Sequence, residues 1–418
     1  MGATVPSTED ATTGDQASVG RRAAVHRAAV PSYRANIYST EAILDPHPHY
    51  RRLRDLGPVV WLPRHKVYAL PRYAECKAAL LDDETFRSTA GVALNALSNR
   101  LSRGTTLGSD GAEHDRSRKL VAHRMFPRAL NAISESVQAM ADEVVDAAVC
   151  RGEVDGVQLA TALPLAVMPD MVGWPVDQRA YLLDWAAATF DILGPANSRF
   201  VRGIPRSVQM LRFARRMVRD RSVLPGSMAD ELLTAVDAGV LKAADCPALL
   251  IDYLGPALDT TIGAISTALA MFAAHPQQWD LLKSEPDRIP NAINEIVRYE
   301  SAVRAFGRRV NADTEIGGVA LPAGSHVLVM YASANRDERE WERPDAFDIT
   351  RDAGRHLGFG KGAHACAGQA VARMETGAVL TALLHRVDRL ELIGPPQWVR
   401  NNIIRRYARM PLRLVGAR

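Results

Sequence analysis

Apolar and polar positions alternate through "GPVVWLPRHKVYALPRY" (57–73) and turn at Pro63-Arg64-His65, which predicts a β-hairpin followed by a short helix from Ala74 to Leu81. From about Glu113 to Ala274 the spacing becomes helical, with Pro and Gly breaks, and predicts helices near 113–124, 128–150, 177–191, 205–220 and 243–274. A further helix near 287–300 follows Pro286. The texture then changes: "RRVNADTEIGGVALPAGSHVLVMY" carries β-branched residues with Gly-Gly and Pro-Ala-Gly turns, as short strands do. Helix returns from Ala367 to about His385, and strand-like pieces close the chain. With no repeat and no interdomain linker, the expectation is a disordered tail over residues 1–32 and one domain over 33–418, mainly α with small β-sheets.

The bulk properties narrow the function classes. A chain of 418 residues with 47% hydrophobic and 23% charged residues can bury a large core. A formal charge of +4 is small for a dedicated nucleic-acid binder, and no nucleic-acid motif is present. Cys76, Cys150, Cys246 and Cys366 lie far apart without a CxxC pair, which argues against a disulfide framework or zinc ribbon and points to a reducing cytoplasm. After Arg21-Arg22, the stretch AAVHRAAV is interrupted by His26 and Arg27, so no export signal is expected; nor does an uninterrupted apolar run reach the ~18 residues of a membrane span.

Two stretches carry candidate chemistry. In "HLGFGKGAHACAGQAVARMETGAVLTALL" (356–384), Gly358, Gly360 and Gly362 precede Cys366, which sits just before an amphipathic helix. First-turn amides of Ala367, Gly368 and Gln369 and the helix dipole would favour a thiolate suited to a metal or to nucleophilic work, and the small residues admit a flat group against the backbone. The second stretch, "GPALDTTI" (255–262), places a proline, an aspartate and two threonines inside a long apolar helix, where Pro256 removes an N–H and is expected to kink or open it. A hydroxyl at Thr260 can bond back to the Pro256 carbonyl.

The run Phe359-Gly360-Lys361-Gly362-Ala363-His364-Ala365-Cys366-Ala367-Gly368 resembles the FGxGxHxCxG signature of haem-thiolate monooxygenases, the cytochrome P-450 superfamily, at every fixed position. The resemblance implies that fold, haem b with Cys366 as axial iron ligand, O2 as co-substrate, and Phe359 and Gly368 beside the cofactor. It also implies a buried network of Glu295 and Arg298 from "NAINEIVRYES" with Arg351 of "RPDAFDITR". His114 and Arg118, four residues apart, would bind the haem propionates with Arg308 and His364. Where the family has Asp-Pro-Pro-x-His, this chain has Asp110-Gly111-Ala112-Glu113-His114, which predicts a looser approach loop. Asp259 and Thr260 match the family's acid–alcohol pair and would deliver protons to bound oxygen.

No reductase domain or dinucleotide-binding unit is evident, so electrons are expected from a ferredoxin and an NAD(P)H-dependent ferredoxin reductase, docked on a basic face of Arg116, Lys119, Arg124, Arg128, Lys361 and Arg373. The family's substrate-contacting regions map to Ala93, Leu254, Gly255, Leu258, Val303, Arg304, Ile403 and Ile404, mostly small and apolar, with Arg304 as a polar anchor and Asp252 as its competing partner. The nearest likeness is to para-substituted benzoate oxidases, although Ala90, Asn95 and Gly255 stand where carboxylate-holding residues are expected. The expected function is hydroxylation or O-demethylation of a small apolar or aromatic molecule by a cytoplasmic monomer. Two rivals remain: radical coupling of an aromatic natural product such as an indole- or phenol-bearing cyclic dipeptide, and a haem-based ligand-binding or sensor protein.

Overall fold

The computed structural model describes residues 30–416. The tail expected over 1–32, with its Arg21-Arg22 pair, lies outside the described residues up to position 29. Val30 is buried, and Ser32 bridges to Trp61, so the placed chain begins earlier than the expected boundary.

The N-terminal part comprises α1 (Thr40–Leu44), α2 (His47–Leu56), the hairpin β1 (Val60–Leu62) and β2 (Val67–Leu70), then α3 (Tyr73–Leu81), β3 (Phe86–Arg87) and α4 (Ala96–Leu101). A helical middle follows: α5 (Gly111–Ala122), α6 (Ser134–Arg151), β4 (Glu153–Asp155), α7 (Gly156–Val172), α8 (Leu182–Leu193), α9 (Ser198–Asp220), α10 (Met228–Asp237), α11 (Cys246–Ala274), α12 (Pro276–Ser284) and α13 (Ile289–Tyr299). The last part holds β5 (Phe306–Val310), β6 (Thr314–Ile316), β7 (Val319–Leu321), β8 (His326–Val329), α14 (Gln369–Arg386), β9 (Val387–Leu392), β10 (Gln397–Trp398), β11 (Tyr407–Arg409) and β12 (Pro411–Gly416).

The main sheet runs β1-β2-β8-β5-β3, with β2 and β8 parallel and the other neighbours antiparallel. A small sheet β4-β12-β9 ties residue 153 to the C-terminus. The hairpin register, Val60 opposite Ala69 and Leu62 opposite Val67, follows the expected turn. The pattern did not reveal α7: "GVQLATALPLAVMPDMV" is apolar on all faces, so it lacks a period, and Pro164 and Pro169 read as breaks. Its ends do carry signals, with Asp155 capping the Val157 amide at 3.0 Å and Gly173 closing it at φ 92°.

The frame of the site is α11. Its first half packs Leu249, Leu250, Leu254 and Leu258 with α7–α10, and its second half packs Ile262, Ile265, Leu269 and Phe272 with α6, α7, α13 and α14. Burying each such side chain contributes about 1.5–3 kcal/mol, enough to hold the intervening turn rigid. The opening expected at Pro256 is absent: helix runs unbroken from Cys246 to Ala274 because the packed turns on either side constrain the one that loses a hydrogen bond. By length and composition α11 could cross a membrane, but 72% of its most apolar window is buried inside the protein.

Candidate active site

The cysteine loop is shaped by its glycines. Gly360 and Gly362 both adopt φ 68°, and a Cβ on Gly362 would stand 2.3 Å from the Leu80 carbonyl oxygen. A Cβ on Gly358 would fall 2.5 Å from Val297 Cγ1, so the loop must lie flat against α3 and α13. The Cys366 amide donates to the Phe359 carbonyl at 2.7 Å, closing the loop just before α14. Surrounding protein raises the Cys366 thiol, while the amides of Gly368 and Gln369 and the charges of Arg118 and Arg373 act in the opposite direction. The accessible surface of Cys366 faces an internal cavity with about 260 Å³ of room for the centres of water-sized spheres.

The facing wall is α11, which presents Asp252, Tyr253, Pro256, Ala257, Thr260, Thr261 and Ala264 at helical spacing. Thr260 Oγ1 donates to the Pro256 carbonyl at 2.7 Å, which spends its only hydrogen and leaves the oxygen free to accept. Asp259 is buried behind this wall. Arg406 Nε donates to its Oδ1 at 2.9 Å, and its Oδ2 has no partner among the described residues. Burial raises the Asp259 carboxyl, opposed by Arg406.

A cationic edge closes one side. His114, Arg118, Arg308 and His364 all line the cavity, with the two histidine rings 4.3 Å apart. His114 Nε2 is buried without a partner among the described residues. Arg118 donates to the carbonyls of Ala363 (3.0 Å) and Ala365 (2.7 Å), so it also clamps the cysteine loop. The loose approach loop expected from Asp110-Gly111-Ala112 is instead tied down. Asp110 accepts from the Ser88 and Thr89 amides at 2.9 and 2.8 Å and lies 3.3 Å from His364 Nε2. Burial alone would raise the Asp110 carboxyl; bonds from His364, Thr89 and Ser88 hold it well below the ordinary range.

A family model described as cytochrome P450 matches residues 208–392. "Cytochrome p450 CYP199A2" of Rhodopseudomonas palustris is 34% identical over 397 residues, 94% of this chain and 96% of that one. The chain belongs to the cytochrome P450 family. A "Beta-dihydromenaquinone-9 omega-hydroxylase" of Mycobacterium bovis is 32% identical over 380 residues, covering 88% of this chain and 75% of that one. Ligand-free CYP164A2 of Mycobacterium smegmatis superposes with a TM-score of 0.83 at 27% identity, covering 90% and 98% of the two chains.

The P450 is therefore an oxidoreductase of the monooxygenase type, and its cavity suits the family's haem. The Cys366 wall is built from Gly358, Gly360, Ala365, Ala367 and Gly368, flat enough for a macrocycle, while the unpartnered His114 Nε2 and nearby Arg308 suit anionic propionates. Phe359 also lines this wall and carries Arg373 over its ring at 5.0 Å.

Behind the P450's cysteine loop, Glu295 and Arg298 pair twice, at 2.6 and 2.8 Å, and both are wholly buried. Arg351 Nε donates to the same carboxylate at 3.3 Å, and the Asp348 amide donates to it at 3.0 Å. Arg298 also donates to the carbonyls of Asn335, Pro344 and Ala346.

The substrate residues read from sequence divide. Val303 lines the cavity, but Ala93, Leu254, Gly255, Leu258, Arg304, Ile403 and Ile404 are not in its lining. Leu254 and Leu258 turn into the core between α7 and α10, and Gly255 faces Met210 and Ala186. Ala93, Ile403 and Ile404 form the layer behind, packed with Phe190 and Leu193, which do line the cavity. Arg304 is no anchor: its guanidinium donates to the carbonyls of Asn401 and Asn402. Asp252, expected to compete for Arg304, instead accepts from the Thr106 amide at 2.5 Å and stands in the cavity wall. A one-residue shift on a helix rotates a side chain by about 100°, which is why 254, 255 and 258 miss where 252, 253, 256 and 257 face inward.

Arg406, 147 residues from Asp259, has no local signal in the sequence. Glu375 on α14, absent from the expected site residues, is a wholly buried carboxyl with neither oxygen partnered among the described residues and is pushed up to about 8 by burial. Its position four residues from both Val371 and Val379 was a legible sign of burial.

Proposed function

We propose that this P450 oxidises a small, largely apolar or aromatic molecule, by hydroxylation or O-demethylation, with electrons from a ferredoxin and its NAD(P)H-dependent reductase. The observation that carries this reading is Cys366 on one wall of a cavity whose facing wall holds Thr260 and whose remaining surface includes Leu107, Phe190, Leu193, Val303 and Phe306. Haem bound there supplies the activation of dioxygen. Cys366 would hold the iron, and His114, Arg118, Arg308 and His364 the propionates. Thr260, its hydrogen committed to Pro256, accepts a hydrogen bond from water and orients it, while Asp259, the residue before it on α11, lies behind the wall as a proton reserve.

Asp252 sharpens the substrate class. Burial pushes its carboxyl up to about 7 despite bonds from Thr106 and Leu107, so near neutrality it is partly ionised in the cavity wall. A substrate carboxylate would meet a like charge there, whereas a neutral aromatic or one bearing a hydrogen-bond donor would not. For the ferredoxin, exposed Arg116, Lys119 and Arg128 with half-exposed Lys361 form the basic face. Arg124 is taken up by Glu231 at 2.5 Å, and Arg373 is turned inward over Phe359.

The reduced protein with carbon monoxide should show a Soret band near the thiolate-ligated position, lost in Cys366→Ala; its persistence in that variant would end the ligand assignment. Among 4-methoxybenzoate, 4-methoxybenzamide and 4-methoxytoluene, the last two should give the stronger low-spin to high-spin shift. Tighter binding of the benzoate would overturn the substrate class. The mass of the product then separates oxygen insertion from coupling.

A further inference from the structure

On the far side of α8 from the haem cavity lies a second recess, with about 340 Å³ of room for the centres of water-sized spheres. Two helical stripes face each other across it. From α8 come Asp184, Ala187, Ala188 and Asp191, and from α9 come Arg199, Arg202, Gly203 and Arg206, both at the i, i+3, i+4, i+7 spacing of a single face. Thr40 of α1 and Arg400 from the C-terminal loops complete it. Ala188 and Gly203 make the room: a Cβ added at 203 would sit 3.1 Å from the Ala188 carbonyl oxygen.

The charge is unbalanced. Four guanidinium groups face two carboxylates, and among the described residues only Arg206 has an ion-pair partner, Asp184 at 3.2 Å. Asp191 spends one oxygen on the Asn402 amide at 2.8 Å. Arg199 forms the floor at 8% exposure, oriented by donating to the Tyr38 carbonyl at 3.1 Å and Thr40 Oγ1 at 2.8 Å. Burial acts against its cation; Asp191 favours it, while Arg304, Arg202 and Arg400 act against it as like charges. Arg202 uses Nε and Nη2 on Ser198, within its own helix, and Arg206 and Arg400 complete the basic lining.

We infer that this recess is a binding site for a small phosphoryl dianion, held by Arg199, Arg202, Arg206 and Arg400 between α8 and α9. The excess of two positive charges matches a dianion, and guanidinium groups from two segments, three on one face of α9 and one from the C-terminal loops, can donate to its oxygens. Bound there, the anion clamps α8 to α9. Because Thr189, Phe190 and Leu193 on the opposite face of α8 line the haem cavity, the clamp also steadies that cavity's wall.

The probe is inorganic phosphate at pH 8, titrated into the full haem-loaded protein in a phosphate-free, low-salt buffer and followed by 31P line broadening. One saturable site per chain is expected, weakened at least about tenfold in Arg202→Gln and in Arg400→Gln, two exposed side chains whose loss leaves the core untouched. Asp184→Asn removes an opposing charge and should tighten binding about threefold. Vesicles of phosphatidylcholine with phosphatidate separate the sources: sedimentation with the vesicles that is lost in the same two variants assigns the recess to a lipid headgroup, and free phosphate binding alone assigns it to a soluble phosphoryl compound. Failure of the folded protein to bind either probe, or equal binding by the two glutamine variants, overturns the site.

Discussion

Two buried carboxylate–arginine pairs stand on either side of the haem cavity, and they differ in how completely they are satisfied. Glu295 spreads its charge over Arg298, Arg351 and the Asp348 amide, and Arg298 donates its remaining hydrogens to three carbonyls. Nothing is left over, so the cluster can only lock α13 to the segment that leads into the cysteine loop. Asp259 has one bond to Arg406 and one oxygen without a partner among the described residues. An incompletely satisfied buried carboxyl is costly to stability and is available for proton exchange, which a fully satisfied one is not. Glu375, with no partner at all among the described residues, extends the series.

The largest break should come from Glu295→Ala, which leaves Arg298 and Arg351 buried without a counter-charge. A loss of about 3–5 kcal/mol is expected in urea unfolding, together with weakened haem retention. Next in size is Glu375→Gln. A carboxyl whose ordinary value of 4.5 is raised to about 8 on folding costs nothing below pH 4.5 and costs progressively more as pH rises toward 8. The glutamine variant should therefore gain on the order of 2–3 kcal/mol at pH 7 and little at pH 4.5, with a flatter dependence of Tm on pH; an unchanged slope would show that Glu375 is partnered.

Asp259→Asn should move stability by only about 1 kcal/mol, since Arg406 keeps a hydrogen-bond acceptor and is itself partly exposed. Its signature lies in turnover: a fall of roughly tenfold or more in product formed per unit time, with Thr260→Ala instead releasing peroxide at the expense of product. Equal coupling in wild type and Thr260→Ala would mean that water alone does the work assigned to the hydroxyl. The smallest effect belongs to Pro256→Ala, which restores one helical N–H in a helix already held by its neighbours. A gain of about 1 kcal/mol is expected, with the Thr260–Pro256 backbone bond preserved because the carbonyl remains.

Local patterns in the chain specified a good deal. Alternation and a turn signal determined the hairpin β1–β2, helical spacing determined α5, α11, α13 and α14 to within about three residues and found α6 and α8 with starts set too early, and the glycine-spaced Cys366 segment carried both the family and the shape of its loop. These features are short-range: each depends on residues within a turn or two of one another, so the sequence itself contains the determining geometry. Only the tertiary structure decided which face of α11 meets the cavity, that Arg304 serves the Asn401–Asn402 turn, that Arg406 answers Asp259 and that Asp252 enters the wall. Such pairings join positions separated by about a hundred residues or more, and a rotation of one residue along a helix exchanges core for cavity; the packing of whole elements, not any local propensity, sets them.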